Sequence, residues 1–585
     1  MRHLMVLLCL AAPLSMVGCA STTSQDSSAK ATTQQSLDSQ FSQLADRIWD
    51  GLSESDPRAL PDMSAATLEQ TFQRNQAWLN KLDSIDTTKL SQQNQMNYAM
   101  IRYALADAVD RYRFHDHYMP LTSEGGFHTE LAFMPSSTAF HKRQDYEDYL
   151  AKLQTIPRYM EQQTAWLKKG IEEGFTQPAA AMKGFEESIA AYIVQRPQDS
   201  VFYDPFEKRP DSINPVDWAL LQEQAADIID NQVMPAYDDY FTFMVTEYLP
   251  NCRDSIGASE LPNGSAWYNN RIMHYTTLDL SAEQIHQIGL QEVARIRAEM
   301  DTIIEKLDFK GSFADFVNFL RTDKRFYPQS ADELMRTATY IAKKMDGKLL
   351  TLFNKLPRKP YGVEPVPAEI APKYTTGRYK DPTRADEPGM YWVNTYALDR
   401  RPLYQMEALT FHEAVPGHHI QVSLALEMDD LPAYRQNTYI SAFGEGWGLY
   451  AEYLGLEAGF YQDPYSNFGR LSYEMWRAAR LVVDTGMHAM GWSRQQAIDY
   501  MAENTALSLH NCTTEIDRYI TWPAQALSYK LGELTIKRLR NEAEEALGED
   551  FDVRDFHDAV LENGSIPLQM LEQHIRQWIA KQKSA

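Results

Sequence analysis

Apolar residues in this chain recur at intervals of three and four over long stretches, a period that leaves few fold classes open. Leu37, Phe41, Leu44, Ile48 and Leu52 fall on one helical face. The pattern is clearest in LSAEQIHQIGLQEVARIRAEMDTIIEKL, where Ile285, Ile288, Val293, Ile296, Met300 and Ile303 line one side. Ser281 and Gln284 stand as a capping box at its start. A mainly α fold is expected. Between Pro357 and Pro388 the helical period gives way to prolines and glycines, and GMYWVNTYA then supplies the aromatic and β-branched residues of a strand. A small β-sheet should therefore precede the segment carrying His412, with an edge able to pair with an extended peptide.

With 585 residues the protein is long for a single core. Breaks at Leu249-Pro250 and Leu261-Pro262-Asn263-Gly264 suggest a helical N-terminal lobe over 37–260 and a second lobe over 261–585. A formal net charge of −24 argues against nucleic acid or an anionic membrane surface as partner, since both repel so acidic a protein.

The N-terminus carries an address. MRHLMVLLCLAAPLSMVGCASTTSQ has a basic Arg2, an apolar run from Leu4 to Val17 and then Gly18-Cys19, the order of a secretory signal. The junction resembles the lipobox of bacterial lipoproteins, with residues 1–18 removed and Cys19 lipidated. An ordinary signal cut nearby is the alternative. Ala20 after the cysteine resembles lipoproteins sorted to the outer membrane of a Gram-negative cell, facing the periplasm. The Ser/Thr/Gln-rich run over 19–36 is expected as a flexible tether. Beyond the signal, Cys252 and Cys512 remain, able either to pair or to stay free.

The chemistry concentrates in FHEAVPGHHIQ, Phe411 to Gln421. His412-Glu413 opens like H-E-x-x-H, in which two histidines four apart hold zinc and the glutamate serves as base. Pro416, however, stands where the second histidine should be. A proline cannot donate to the carbonyl four residues back and turns its predecessor away from helical dihedrals, so the helix must bulge. With Val415 and Pro416 looped out, His418 falls four places after His412; His419 is placed too far along the helix, and His418 is the preferred second ligand. A catalytic zinc takes three protein ligands and keeps one position open. Glu445 in FGEGWGLYAEYL, with Glu452 the next acid on its helical face, is the third candidate. A carboxylate from a second helix reaching back to a histidine pair is the gluzincin pattern.

HEAVPGHH, EGWGLYAEY, RLVVDTGMHAMGWSRQQAIDYM, EIDRYITWPAQALSYKLGEL and NGSIPLQMLE resemble the bacterial family called domain of unknown function 885, from about residue 40 to the C-terminus. That family is similar to zinc metallopeptidases such as thimet oligopeptidase and carboxypeptidase Taq. The resemblance implies a large helical fold with a deep cleft and a zinc-dependent hydrolase site. One zinc ion on His412, His418 and Glu445 would activate a water, and Glu413 would take its proton during attack on a peptide bond. His488, Tyr519 and Tyr529 are candidates to stabilise the oxyanion, with Arg518 beside them; Asn394, Thr395 and Arg518 are candidates to hold substrate. A di-iron bundle needs paired E-x-x-H motifs, and only Glu283 to His286 offers one. A nonenzymatic envelope lipoprotein with a structural zinc is the stronger rival, although a closed site has no need of Glu413.

Mass spectrometry of the mature N-terminus tests the anchor. A lipid-modified Cys19 is expected, and an unmodified serine or alanine start would contradict it.

Overall fold

The structure, a computed structural model, describes residues 23–584 apart from 369, 383, 385 and 386. Helix makes up 69% of the residues and strand 4%, so the fold is mainly α. The first helix, Thr23–Leu52, begins inside the segment expected to be an irregular tether. Residues 21–50 contain no glycine or proline, so nothing in them stops a helix from propagating back from its packed end. Cys19 lies outside the described residues. Phe41, Leu44 and Ile48 are buried, as their spacing requires. The Ala282–Lys306 helix has the reciprocal Ser281–Gln284 cap and buries Ile285, Val293, Ile296, Met300 and Ile303. It lies along Pro464–Ala489, whose residues from Phe468 to His488 are all buried.

The apolar residues gather into two large cores and a small one, and these divide the protein differently from a boundary near 260. The smaller of the large cores is built from residues between Leu121 and Tyr248, with Leu60. Residues between Phe41 and Val109 join instead the main core, which draws otherwise on residues from Ala181 to Ile579. Proline and glycine breaks locate loops, but they do not say which apolar face meets which. The third cluster, including Tyr268, Ile285, Leu481 and Leu531, lies among the helices that follow the break. Cys252 packs at the margin of one core and Cys512 inside the other, and both are free thiols.

The strand read from GMYWV runs Gly389–Val393, but it is central rather than an edge. It pairs parallel with Tyr361–Pro365, Tyr361 opposite Gly389, and antiparallel with Gly377–Lys380, Gly377 opposite Val393. The two edges are Tyr361–Pro365 and Gly377–Lys380, and the one next to Glu413 is Gly377–Lys380, a strand hidden from sequence reading by its short length inside a proline-rich stretch.

Two helices that frame the histidines, Ser441–Glu457 and Ser528–Leu547, meet without any intervening side chain. A Cβ on Gly532 would lie 1.9 Å from the Ala442 carbonyl oxygen and 2.7 Å from the Gly446 Cα. Backbone on both sides leaves no flexible group to move aside. Gly532→Ala should lower the unfolding free energy by at least the ~1–3 kcal/mol of an overpacked core, read as a lower urea midpoint.

Candidate metal centre

The helix bearing His412 and Glu413 runs Met406–Glu413 and ends at Ala414, whose φ of −98° and ψ of −107° leave helical space. The Val415–Pro416 peptide is cis, and a second helix, His418–Leu426, begins directly after Gly417. A larger residue at 417 is impossible without rebuilding the turn, because a Cβ there would sit 2.0 Å from the His412 carbonyl oxygen and 2.4 Å from that of Phe411. The interruption thus folds the backbone back tightly enough to set His418 beside His412. Their rings lie 4.8 Å apart at 85°.

Glu445, on the Ser441–Glu457 helix, completes the group. Its Oε2 is 3.4 Å from His412 Nε2 and 3.5 Å from His418 Nε2, and the ligand atoms of all three residues fall within 4.8 Å of one another. Ligands ~2.0–2.1 Å from a tetrahedral ion are separated by about 3.3 Å, so these spacings match a metal better than a tight hydrogen bond. Two nitrogens and a carboxylate oxygen also form a zinc-type donor set.

The surrounding residues fix these donors. His412 Nδ1 lies 2.8 Å from Glu452 Oε1, leaving Nε2 to face the cluster, the arrangement that orients metal-bound histidines. Glu452 is 1% exposed and also faces Arg477 Nη2 at 3.3 Å. The Tyr439 hydroxyl donates to Glu445 Oε1 at 3.2 Å, turning the other oxygen towards the histidines. Burial works against protonated histidine, but the carboxylates outweigh it: Glu445 and Glu452 push His412 up to about 9, and Glu445 raises His418. Burial likewise opposes an ionised Glu445, and the two histidines nonetheless hold it well below the usual carboxylate range. The cluster is organised to gather positive charge.

Glu413 stands beside the donors and outside them. Its Oε2 accepts the backbone N–H of Tyr379 at 2.7 Å, so the outer edge of the Gly377–Lys380 strand runs past it. His419 points elsewhere: its Nδ1 lies 3.1 Å from the Tyr379 hydroxyl and 3.2 Å from Ser423 Oγ, and burial depresses it to about 4. Tyr529 is at the site, its ring 6.3 Å from that of His412 and beneath the Arg480 guanidinium at 4.4 Å. No hydrogen bond occupies the Tyr529 hydroxyl among the described residues.

Several expected participants belong to the scaffold. His488 has both ring nitrogens engaged by backbone, Nδ1 accepting from Ala258 N–H at 3.0 Å and Nε2 2.9 Å from the Tyr519 carbonyl oxygen. The Tyr519 hydroxyl donates to Glu515 and accepts from Arg480 and Trp476, so it has no capacity left for an oxyanion. Asn394 is fully buried and donates to the carbonyls of Ala371, Tyr374 and Thr375, stapling a loop rather than holding substrate. Thr395 is half-buried, and no hydrogen bond among the described residues ties it to the cluster. Arg518 donates to Gln525 at 2.6 Å and lies 3.8 Å from Glu124, within electrostatic reach of Tyr529.

Sequence reading missed Tyr439, Arg378 and Asp381. All three are open to solvent, Tyr439 by 47%, and Tyr439 reaches Glu445 directly. Asp381 lies within electrostatic reach of His418 and Glu445. No spacing rule marks these residues, because strand edges and loops bring them to the site.

The model of the family "Bacterial protein of unknown function (DUF885)" matches residues 49–575. The chain belongs to the DUF885 family. The fold of this DUF885 protein is similar to that of "the putative lipoprotein from Colwellia psychrerythraea", with a TM-score of 0.84 and 28% identity over 94% of this chain and 99% of that one. It is similar also to "a putative lipoprotein of unknown function from Shewanella oneidensis", with a TM-score of 0.66 over 95% of this chain and 99% of that one. At 18% identity that second likeness is one of fold alone. Among curated proteins none matches this sequence. No helix among the described residues of the DUF885 protein is long and apolar enough to cross a membrane.

Metal analysis of purified variants tests the centre. His418→Ala should lose most of its zinc and His419→Ala should keep a stoichiometric ion. Glu452→Gln should weaken zinc affinity by ~10–100-fold without abolishing binding, as loss of an orienting partner does.

Proposed function

We propose that this DUF885 protein is a zinc-dependent peptidase of the bacterial cell envelope, anchored through Cys19. The observation that carries the reading is the position of Glu413, next in sequence to one member of the His412–His418–Glu445 group and outside that group itself. A zinc ion held by the three residues would serve as a Lewis acid and lower the pKa of a water towards ~7. Glu413 is placed to serve as base to a water attacking a peptide carbonyl and as the acid that returns the proton to the leaving amine. One Glu413 oxygen is fixed by the Tyr379 N–H, which holds the carboxylate in register while the other oxygen faces the reaction. Tyr529, beside His412 with an uncommitted hydroxyl, donates to the oxygen of the tetrahedral intermediate. The lipoprotein naming of the similar Colwellia psychrerythraea protein and the Gly18-Cys19 junction favour the envelope anchor.

A structural zinc has no use for a carboxylate beside it, so Glu413 separates the enzyme from the nonenzymatic alternative. Glu413→Gln should keep the fold and the ion while peptide turnover falls by ~10²–10⁴-fold. Glu445→Gln should lose metal and activity together. Tyr529→Phe should lower kcat by ~10²–10³-fold with zinc retained. Zinc content, thermal melting and hydrolysis of a peptide library on the same samples decide the matter. Wild-type turnover in Glu413→Gln, or no cleavage across the library by wild type, would overturn the peptidase reading.

A further inference from the structure

Arg378 is the one guanidinium on the strand edge that passes Glu413, and its surroundings are unusual for an arginine. Along Gly377–Lys380 the residues alternate, with Tyr379 buried against His419 and Arg378 open to the cleft. Its guanidinium carbon lies 5.9 Å from the centre of the Tyr374 ring. Glu413, Glu124, Tyr374 and Tyr529 all lie within its electrostatic reach, and Asp381 feels its charge in turn. None of these carboxylates closes an ion pair with it among the described residues.

The contrast with neighbouring arginines is informative. Arg477 faces Glu452, and Arg480 and Arg518 face Glu515. Those three are structural cations. Glu124, on the hairpin that joins Leu121–Thr122 to Gly125–Gly126, approaches Arg518 to 3.8 Å and is half-exposed. Ser123 fastens that hairpin to the Leu509–Thr521 helix, its N–H donating to Thr521 Oγ1 at 2.9 Å. One fixed carboxylate is thus held towards Arg518, while Arg378 keeps its fork of donors directed into solvent.

An arginine fork matches a carboxylate in both shape and charge. We infer that Arg378 receives a carboxylate of the substrate, so that this site acts on peptides bearing a free carboxylate close to the bond that is cut. The inference rests on the peptidase reading for its chemistry and on Arg378 for its specificity. The terminal carboxylate of a peptide and the carboxylate of an Asp or Glu within it present the same group, and the experiment distinguishes them.

The probe is a labelled hexapeptide without acidic residues, made as the free acid and as the C-terminal amide, with a third form amidated but carrying one glutamate. Binding is read by fluorescence anisotropy on the zinc-loaded Glu413→Gln protein, whose turnover is slowed ~10²–10⁴-fold, with and without Arg378→Ala or Arg378→Lys. The free acid should bind at least ten times more tightly than the amide when Arg378 is present. Arg378→Ala should erase that ratio and Arg378→Lys should restore part of it. Tight binding of the acid alone identifies the peptide terminus as the source, and tight binding of the glutamate form identifies the acidic residue. In the otherwise wild-type enzyme, Arg378→Ala should raise KM for carboxylate peptides at least tenfold more than it raises KM for acid-free amides. Equal binding of all three forms, or equal weakening of all three by Arg378→Ala, overturns the inference. If the acid-to-amide ratio holds while wild type cleaves nothing, the carboxylate site stands and the peptidase reading falls.

Discussion

A carboxylate removed from water has to be answered by positive charge, and Glu452 is answered by His412 and Arg477. Removing one partner of such a buried group leaves an uncompensated charge and costs about 3–5 kcal/mol. This requirement couples three helices, Met406–Glu413, Ser441–Glu457 and Pro464–Ala489, through one oxygen atom. The geometry of the His412–His418–Glu445 group follows, because the ring nitrogen not used by Glu452 is the one presented to Glu445. The same logic fixes the far side. Lys530, fully buried next to Tyr529, lies 2.8–2.9 Å from carboxylate oxygens of Glu292, Glu474 and Glu533. Tyr529 therefore stands in the first turn of a helix whose position is set by charge as well as by packing.

Against that rigid frame, the interrupted helix is a local solution to a spacing problem. An unbroken helix would carry a residue six places after His412 to another face, since each residue turns the backbone by about 100°. Ending the helix at Glu413 and restarting it at His418 recovers the facing pair. It also sends His419 back against Tyr379 and Tyr361, so the restarted helix is locked to the sheet behind the site. The two adjacent histidines have different roles because consecutive residues of one helix point about 100° apart.

What could be read from the sequence divides along physical lines. Helical class, the Ser281 cap and the grouping of His412, His418 and Glu445 were legible, since each depends on residues a few places apart or on ligand chemistry that few residue types satisfy. Glu452 was visible as an acid on the face of Glu445, though not as the partner of His412. The roles of His488, Tyr519 and Asn394 were misread because a polar group with backbone partners looks the same in sequence as one facing a substrate. Arg378, Asp381 and Tyr439 were illegible for the converse reason: their significance comes from long-range folding of a strand edge and loops. The division into cores was also hidden, as breaks in helical period mark loops without saying which faces meet.

The contact between Gly446 and Gly532 governs how this cleft can deform. Two helices separated by a layer of side chains can slide, because rotamers adjust; two that touch backbone to backbone have no such lubricant. The wall bearing Glu445 and the wall bearing Tyr529 are in effect one beam. Relative movement around the site must be taken up elsewhere, as at the hairpin seated on Thr521. The stiff side carries Glu445 and Tyr529, while the hairpin that carries Glu124 is tied down through Ser123 and Thr521.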